Sequence, residues 1–404
     1  MVNISSILSW FVPPLRRMQD EQAALAADRA KLGRRVDALE GELLGFAARQ
    51  PKAPPVQPEV EVPTPSPTSV MVGGRPRMTF YIDIISGCNL RCPSCPVSDK
   101  PSRNGTPPVR GLMTKELLRK ILDKATAECS ISSVGLFNWT EPMLHPDVAE
   151  LVTTVKSYGL FCSISSNLNV LRDVDAVLSA GLDWFRVSVS GFTQENYGHT
   201  HRGGDIDVVK ANMRELAAAR RRTGSKADIE VFFHRYLGNL DDEVNMRHLA
   251  EDLGFRFVAA WAQMMPVEKV LSYVDPDEPL VTLDNDDKAI IERLALPLGA
   301  AIAATTAHQE TRCSLQDDYM TIDVAGNVNL CCAVSNRVSN RLASFLDTPL
   351  IDLQQRKAAH TLCGKCMSKG LPIYLEHRMP KTFEALARDN ILGFYSRAGT
   401  ALRS

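Results

Sequence analysis

The stretch Gly87-Cys88-Asn89-Leu90-Arg91-Cys92-Pro93-Ser94-Cys95-Pro96 carries three cysteines on one short loop, spaced C-x3-C-x2-C. Three thiolates at that spacing can bind three irons of a cubane iron–sulfur cluster. Such clusters usually take four cysteines, so a three-thiolate loop leaves one iron open to another ligand. Other uses of cysteine fit less well. Structural zinc takes four ligands, commonly in paired C-x2-C or Cys/His sets, and the thirty residues after Cys95 hold no further Cys or His. A disulfide framework belongs to an exported chain.

A second set lies far downstream: Cys313, Cys331, Cys332, Cys363 and Cys366. Tyr319–Val324 and Val328–Leu330 flank Ala325-Gly326-Asn327, which reads as a hairpin folding Cys313 and Cys331 toward one place. Cys363-x2-Cys366 then adds two thiolates. Four cysteines close a cubane with no open iron, and four ending in C-x2-C also suit tetrahedral zinc. Cys332 is left over. It adjoins Cys331 and can replace it. Cys129 and Cys162 read as small core residues.

The elements that must position these residues follow from periodicity. From Arg77 on, strand-like runs alternate with helical ones. The strands are expected at Met78–Ile85, Ser133–Asn138, Phe161–Ser165, Trp184–Ser190, Asp228–His234 and Arg256–Gln263. Helices are expected at Thr114–Ala127, Asp147–Tyr158, Asp207–Arg222 and Asp242–Leu253. Six βα units imply an α/β fold with a parallel sheet and helices outside. A full eight-fold barrel needs about 250 residues, so a partial (β/α)6 TIM-like barrel over 77–300 fits better. The three-cysteine loop follows the first strand, at the strand ends where such barrels do chemistry.

Outside the barrel, 1–50 reads as an amphipathic helix or short coiled coil. Met18, Leu25, Leu32, Leu39 and Phe46 repeat every seven residues, suited to self-association or partner docking or to packing on the body of its own chain. Residues 51–76 begin as a proline-rich linker. Residues 301–375 would form a small α+β domain around the second cysteine set, and 376–404 a helical tail. The 404 residues carry a net charge of −1, which gives no nucleic-acid footprint. No apolar run is long enough for a membrane span. Met1–Pro14 lacks the basic start of a signal peptide, and ten cysteines with metal-like spacing suit a reducing, cytoplasmic setting.

The three-cysteine loop resembles the signature of the radical S-adenosylmethionine (radical SAM) superfamily. The resemblance covers roughly residues 78–375 and implies that SAM chelates the open iron of a [4Fe-4S] cluster on Cys88, Cys92 and Cys95. Asn138-Trp139-Thr140-Glu141-Pro142 resembles the family's G-G-E-P segment, with Trp139 and Thr140 in place of glycines; Asn138 and Glu141 would meet SAM there. The resemblance also implies SAM contacts from Ser166 and Asn167 after the third strand, from Ser190 after the fourth, and from Arg202 and His234. Ser94 stands where most members carry an aromatic residue beside the adenine. The second cysteine set resembles a twitch or SPASM-like auxiliary domain, implying a second [4Fe-4S] cluster on Cys313, Cys331, Cys363 and Cys366.

Family chemistry reduces SAM to methionine and a 5′-deoxyadenosyl radical that abstracts hydrogen from a C–H bond. The expected reaction is oxidation of a small molecule, sugar or glycan, fed by a flavodoxin- or ferredoxin-type donor. Three readings stay open beside it: an epimerase using Cys332 as hydrogen donor, a peptide-modifying enzyme, and a non-catalytic iron–sulfur or zinc scaffold.

Overall fold

The computed structural model describes residues 71–93, 95–97, 111–308, 312–335 and 338–401. The helix expected over 1–50, most of the linker and Ser94 lie outside these residues.

A two-residue strand β1 (Met71–Val72) pairs antiparallel with the start of β2 (Arg75–Ile82). Five strands follow: β3 (Ser130–Gly135), β4 (Cys162–Ser166), β5 (Trp184–Val189), β6 (Asp228–Arg235) and β7 (Arg256–Trp261). Each pairs parallel with its predecessor, from β2 through to β7. Between them run α1 (Lys115–Glu128), α2 (Val148–Ser157), α3 (Val174–Ser179), the pair α4 (Gln194–Thr200) and α5 (Ile206–Thr223), and α6 (Leu240–Asp252). β7 pairs with β6 alone in the strand order, so the ring stays open. This is the partial (β/α)6 barrel expected from the periodicity.

Local chemistry sets the helix ends. Thr114 caps α1 by accepting from the Leu117 amide, and Asp205 caps α5 by accepting from the Asp207 and Val208 amides. Such side-chain caps satisfy amides that the first turn leaves without partners. α5 ends on Arg220, Arg221 and Arg222, followed by Gly224 at φ +67°, which suits the negative helix terminus and its left-handed cap.

The chain continues through α7 (Val267–Val274), α8 (Asn285–Arg293), α9 (Leu298–Thr306) and the short α10 (Ser314–Asp317). β8 (Tyr319–Ile322), β9 (Asn327–Asn329) and β10 (Arg341–Ser344) come next, then α11 (Leu350–Ala358), α12 (Thr361–Ser368), α13 (Leu371–Leu375) and α14 (Pro380–Ala401). The β8–β9 turn places Gly326 at φ +84°, where a Cβ would be strained. β8 pairs parallel with β2, in the register Thr79↔Tyr319 through Ile82↔Ile322. β9 and β10 add antiparallel strands beyond it. The C-terminal segment thus extends the barrel sheet itself, and both parts cluster as one compact unit.

The two faces of the sheet differ. Phe80, Ile82, Ile164, Phe185, Val187, Val231 and Phe233 are buried in one core with helix residues such as Leu118, Val152 and Leu216. Side chains alternate along a strand, so Thr79, Tyr81, Ser163, Ser165, Arg186, Ser188, Phe232, His234 and Tyr319 face the other way. TIM-barrel interiors are usually filled with branched apolar side chains; this inner face is polar and aromatic. Gly135 makes room in it, since a Cβ there would lie 2.8 Å from Cδ1 of Tyr81. A second core of Met264, Val270, Ile302, Leu330, Tyr374 and Phe383 packs around the second cysteine set.

Candidate active site

The three-cysteine loop is bound into the barrel mouth from several strands. The Cys95 amide donates to the Cys92 carbonyl at 3.1 Å, and the Arg91 amide donates to the Arg202 carbonyl at 2.8 Å. The Leu90 amide and the Asn167 side-chain amide both donate to Cys88 Sγ, at 3.4 and 3.5 Å. Burial pushes the Cys88 thiol up to about 12 and Cys92 higher still.

Glu141 organises the neighbouring turns. It is 2% exposed. Its Oε1 accepts from Ser166 Oγ at 2.7 Å and from the Met143 amide at 3.1 Å; its Oε2 accepts from the Asn167 amide at 2.8 Å. The carboxylate thereby joins the loop after β3 to the loop after β4, and sets Asn167 beside Cys88. Burial pushes it up to about 7.

Asp83, one residue past β2, does the same for the turn before Glu141. Its Oδ1 accepts from the amides of Asn138, Trp139 and Thr140 at 3.0, 3.1 and 3.1 Å, and from Thr140 Oγ1 at 2.6 Å. The side chains that replace glycine are tied back: Thr140 to Asp83, and the Trp139 indole to the Val334 carbonyl at 2.9 Å. The sequence reading missed Asp83. Its one signal was a lone acid in the apolar run Tyr81–Ile85.

The remaining expected SAM contacts divide. Asn138, Glu141, Ser166 and Asn167 come together around Cys88 and Asp83. Ser190 turns away from the inner face: its Oγ bonds Thr200 Oγ1, and His201 Nδ1 at 2.8 Å. Strand alternation stops at Val189, which is why Ser188 alone keeps the inner face. Ser188 Oγ lies 3.2 Å from His234 Nε2, and burial pulls His234 down to about 4. Arg202 is half exposed and forks onto Asp286 with contacts of 2.9 and 3.0 Å.

The second set lies at the opposite end of the sheet. Cys313 precedes β8, and Cys331 follows the antiparallel β9 back to that same end, whereas Cys88 follows the far end of β2. Cys313, Cys331, Cys363 and Cys366 line one cavity with Val267, Leu315, Leu330 and Leu375. Cys366 feels the other three thiols electrostatically. The interaction between the adjacent Cys331 and Cys332 thiols pushes the first up and the second down. Cys332 also acts on Tyr81 and Tyr319, whose rings stack at 5.6 Å on the inner face. Among the described residues, no three Cys, His, Asp or Glu side chains converge tightly enough to grip a lone metal ion. Nor is any described helix long and apolar enough to cross a membrane.

Two more buried polar atoms, Thr321 Oγ1 and Asn329 Oδ1, have no hydrogen-bond partner in the protein. They are cross-strand neighbours, and Thr321 is in register with Tyr81. They therefore share its inner face.

Residues 82–234 match the sequence model of the radical SAM superfamily and form a domain of that superfamily. The GTP 3′,8-cyclase of Chlorobaculum tepidum is 26% identical over 144 residues, 34% of this chain and 40% of that protein. The PqqA peptide cyclase of Gluconobacter oxydans is 29% identical over 184 residues, 44% of this chain and 47% of that protein. This chain thus spans about half or less of the length of these relatives. Among solved structures, Streptococcus suis SuiB bound to the precursor peptide SuiA superposes at a TM-score of 0.48 and 13% identity. That match covers 73% of this chain and 70% of SuiB.

Proposed function

We propose that this chain binds a [4Fe-4S] cluster and SAM at Cys88, Cys92 and Cys95 and a second [4Fe-4S] cluster at Cys313, Cys331, Cys363 and Cys366. On this reading it oxidises a C–H bond of a polar small molecule, sugar or glycan. When bound, the first cluster with SAM supplies a hydrogen-abstracting radical and the second supplies an electron acceptor. The observation that carries the reading is the placement of the two cysteine sets at opposite ends of one sheet, with a polar inner face between them. A substrate held there lies between the two.

The residues supply the rest. Tyr81, Tyr319, Ser188 and the unpartnered Thr321 and Asn329 offer hydroxyl and amide groups to a polyhydroxylated substrate. His234, held against Ser188, offers a further ring nitrogen to the substrate. The four thiols border one cavity, and four cysteines are the number a closed cubane takes. Asp83 draws the amides of 138–140 inward, and Glu141 fixes Asn167 against Cys88. These two act by positioning the SAM-facing loops.

One observation favours a second reading. Cys332 acts electrostatically on Tyr81 and Tyr319, which face the barrel interior, and a thiol reaching that face could return hydrogen to a substrate radical and so epimerise it.

The test is anaerobic reconstitution of the full chain, reduction, and incubation with SAM while 5′-deoxyadenosine is followed. Release is expected, and its loss in Cys92→Ala. Iron-loaded protein that never cleaves SAM would overturn the reading in favour of a scaffold. With sugars or cyclitols deuterated at carbon, label is expected in the 5′-deoxyadenosine. Cys332→Ala separates the branches: unchanged turnover sinks the epimerase.

A further inference from the structure

Lys357, on α11, is completely buried. Its Nζ donates to the carbonyls of Tyr319 at 2.6 Å and Leu315 at 3.4 Å. No carboxylate stands within ion-pair reach of it among the described residues; Asp318, which feels Lys357, is held by Arg312 at 2.9 Å. Leu315 and Gln316, both bonded to Lys357, line the cavity that the four thiols border; burial pulls the Lys357 ammonium down, and Cys331, Cys332, Cys313 and Cys363 oppose that shift. Gln316 joins it to the same site, donating to the Lys357 carbonyl at 3.0 Å.

A buried ammonium without a carboxylate costs several kcal/mol, so packing alone does not account for a lysine here. Four thiolates carrying iron leave a net negative centre that offsets the cost. The benefit runs both ways. A fixed positive charge stabilises whichever state of that centre is more negative, which is the reduced one, and the potential of an iron–sulfur cluster follows the charge around it.

We propose that Lys357 is the built-in countercharge of the second cysteine site and raises the reduction potential of the cluster held there. The inference rests on the reading that Cys313, Cys331, Cys363 and Cys366 hold a cluster. In that role Lys357 is a positioning residue. It touches neither substrate nor SAM, and makes the cluster a readier one-electron acceptor.

The experiment uses the full chain carrying Cys92→Ala, which silences the first site, reconstituted anaerobically and analysed for iron. Redox titration followed by EPR then reads the second cluster alone. Lys357→Met is expected to keep its iron and shift the one-electron reduction equilibrium toward the oxidised form by about tenfold or more, some 59 mV per tenfold. Lys357→Arg is expected to stay near the parent. A Lys357→Met potential within about twofold of the parent equilibrium overturns the proposal, as does an Arg variant that shifts equally. Where Lys357→Met does not load, Lys357→Gln, which keeps a donor for the Tyr319 carbonyl, is titrated instead. If both neutral variants fail to load while Arg loads, the requirement for charge is supported; if Arg fails too, the role is shape and the proposal falls. A parent that binds zinc or nothing at the second site overturns the cluster reading itself, and does so in the metal analysis before any titration.

Discussion

Replacing Asp83 with asparagine isolates what a buried charge costs at the mouth of the barrel. All four donors that hold the 138–140 turn converge on Oδ1, so Asp83→Asn can keep every one of those bonds and remove only the charge. Burial raises the folded-state value from an ordinary 3.8 to about 6. A raised carboxyl favours the folded state while it is protonated, and that contribution disappears as pH rises through the folded value. The gap from 3.8 to about 6 corresponds to about 3 kcal/mol. Asp83→Asn and the parent should therefore differ little from their baseline offset near pH 4, and the variant should gain progressively until about pH 7, by up to about 3 kcal/mol. Urea unfolding of the metal-free protein, followed by circular dichroism at intervals from pH 4.5 to 8, reads the difference between the two chains. Subtracting one curve from the other removes the titration of every shared group. A difference that is flat with pH, or one that grows in favour of the parent, would refute the reasoning: Asp83 would then be carrying its charge without penalty.

The other predictions concern the same face. Cys88→Ala should halve the iron bound after reconstitution and abolish any change in the reduced-cluster EPR signal on adding SAM, while leaving the second site loaded. Gly135→Ala forces a Cβ to within 2.8 Å of the Tyr81 ring; thermal unfolding should show a loss of about 1–3 kcal/mol. Arg202→Met breaks a half-exposed pair with Asp286, so calorimetry should find stability changed by no more than about 1 kcal/mol, and SAM affinity by less than about fivefold. A larger loss of SAM binding would mean that Arg202 leaves Asp286 to hold the ligand.

What could be read in the sequence was what repeats locally. Trp184–Val189 and Asp228–Arg235 alternate apolar and polar residues, and α1 and α5 carry caps and helical spacing, so these elements fall within a few residues of expectation. The three-cysteine loop is contiguous, so it was legible whole. Contacts between distant segments left no local trace. Asp83 meets Thr140 across 57 positions. Lys357 looks like any other helix lysine until α11 is laid against Tyr319. Ser190 reads as a strand residue because the bend after Val189 has no signature in Ser188–Gly191. Arg202 looks free until α8 brings Asp286 to it.

The pairing of β2 with β8 also orders events in time. β2 carries the three-cysteine loop, yet its partner along Thr79–Ile82 is not made until Ile322, 240 residues later. At ordinary rates of synthesis, about 5–20 residues per second, that edge waits roughly 10–50 s. Throughout that interval the nascent barrel presents an unpaired strand edge, a template for wrong pairing with other chains. The second cysteine set is not complete until Cys366. Expression that outpaces protection of this edge should give inclusion bodies rather than folded iron-free chain, and slowed synthesis should recover more soluble chain than added iron does.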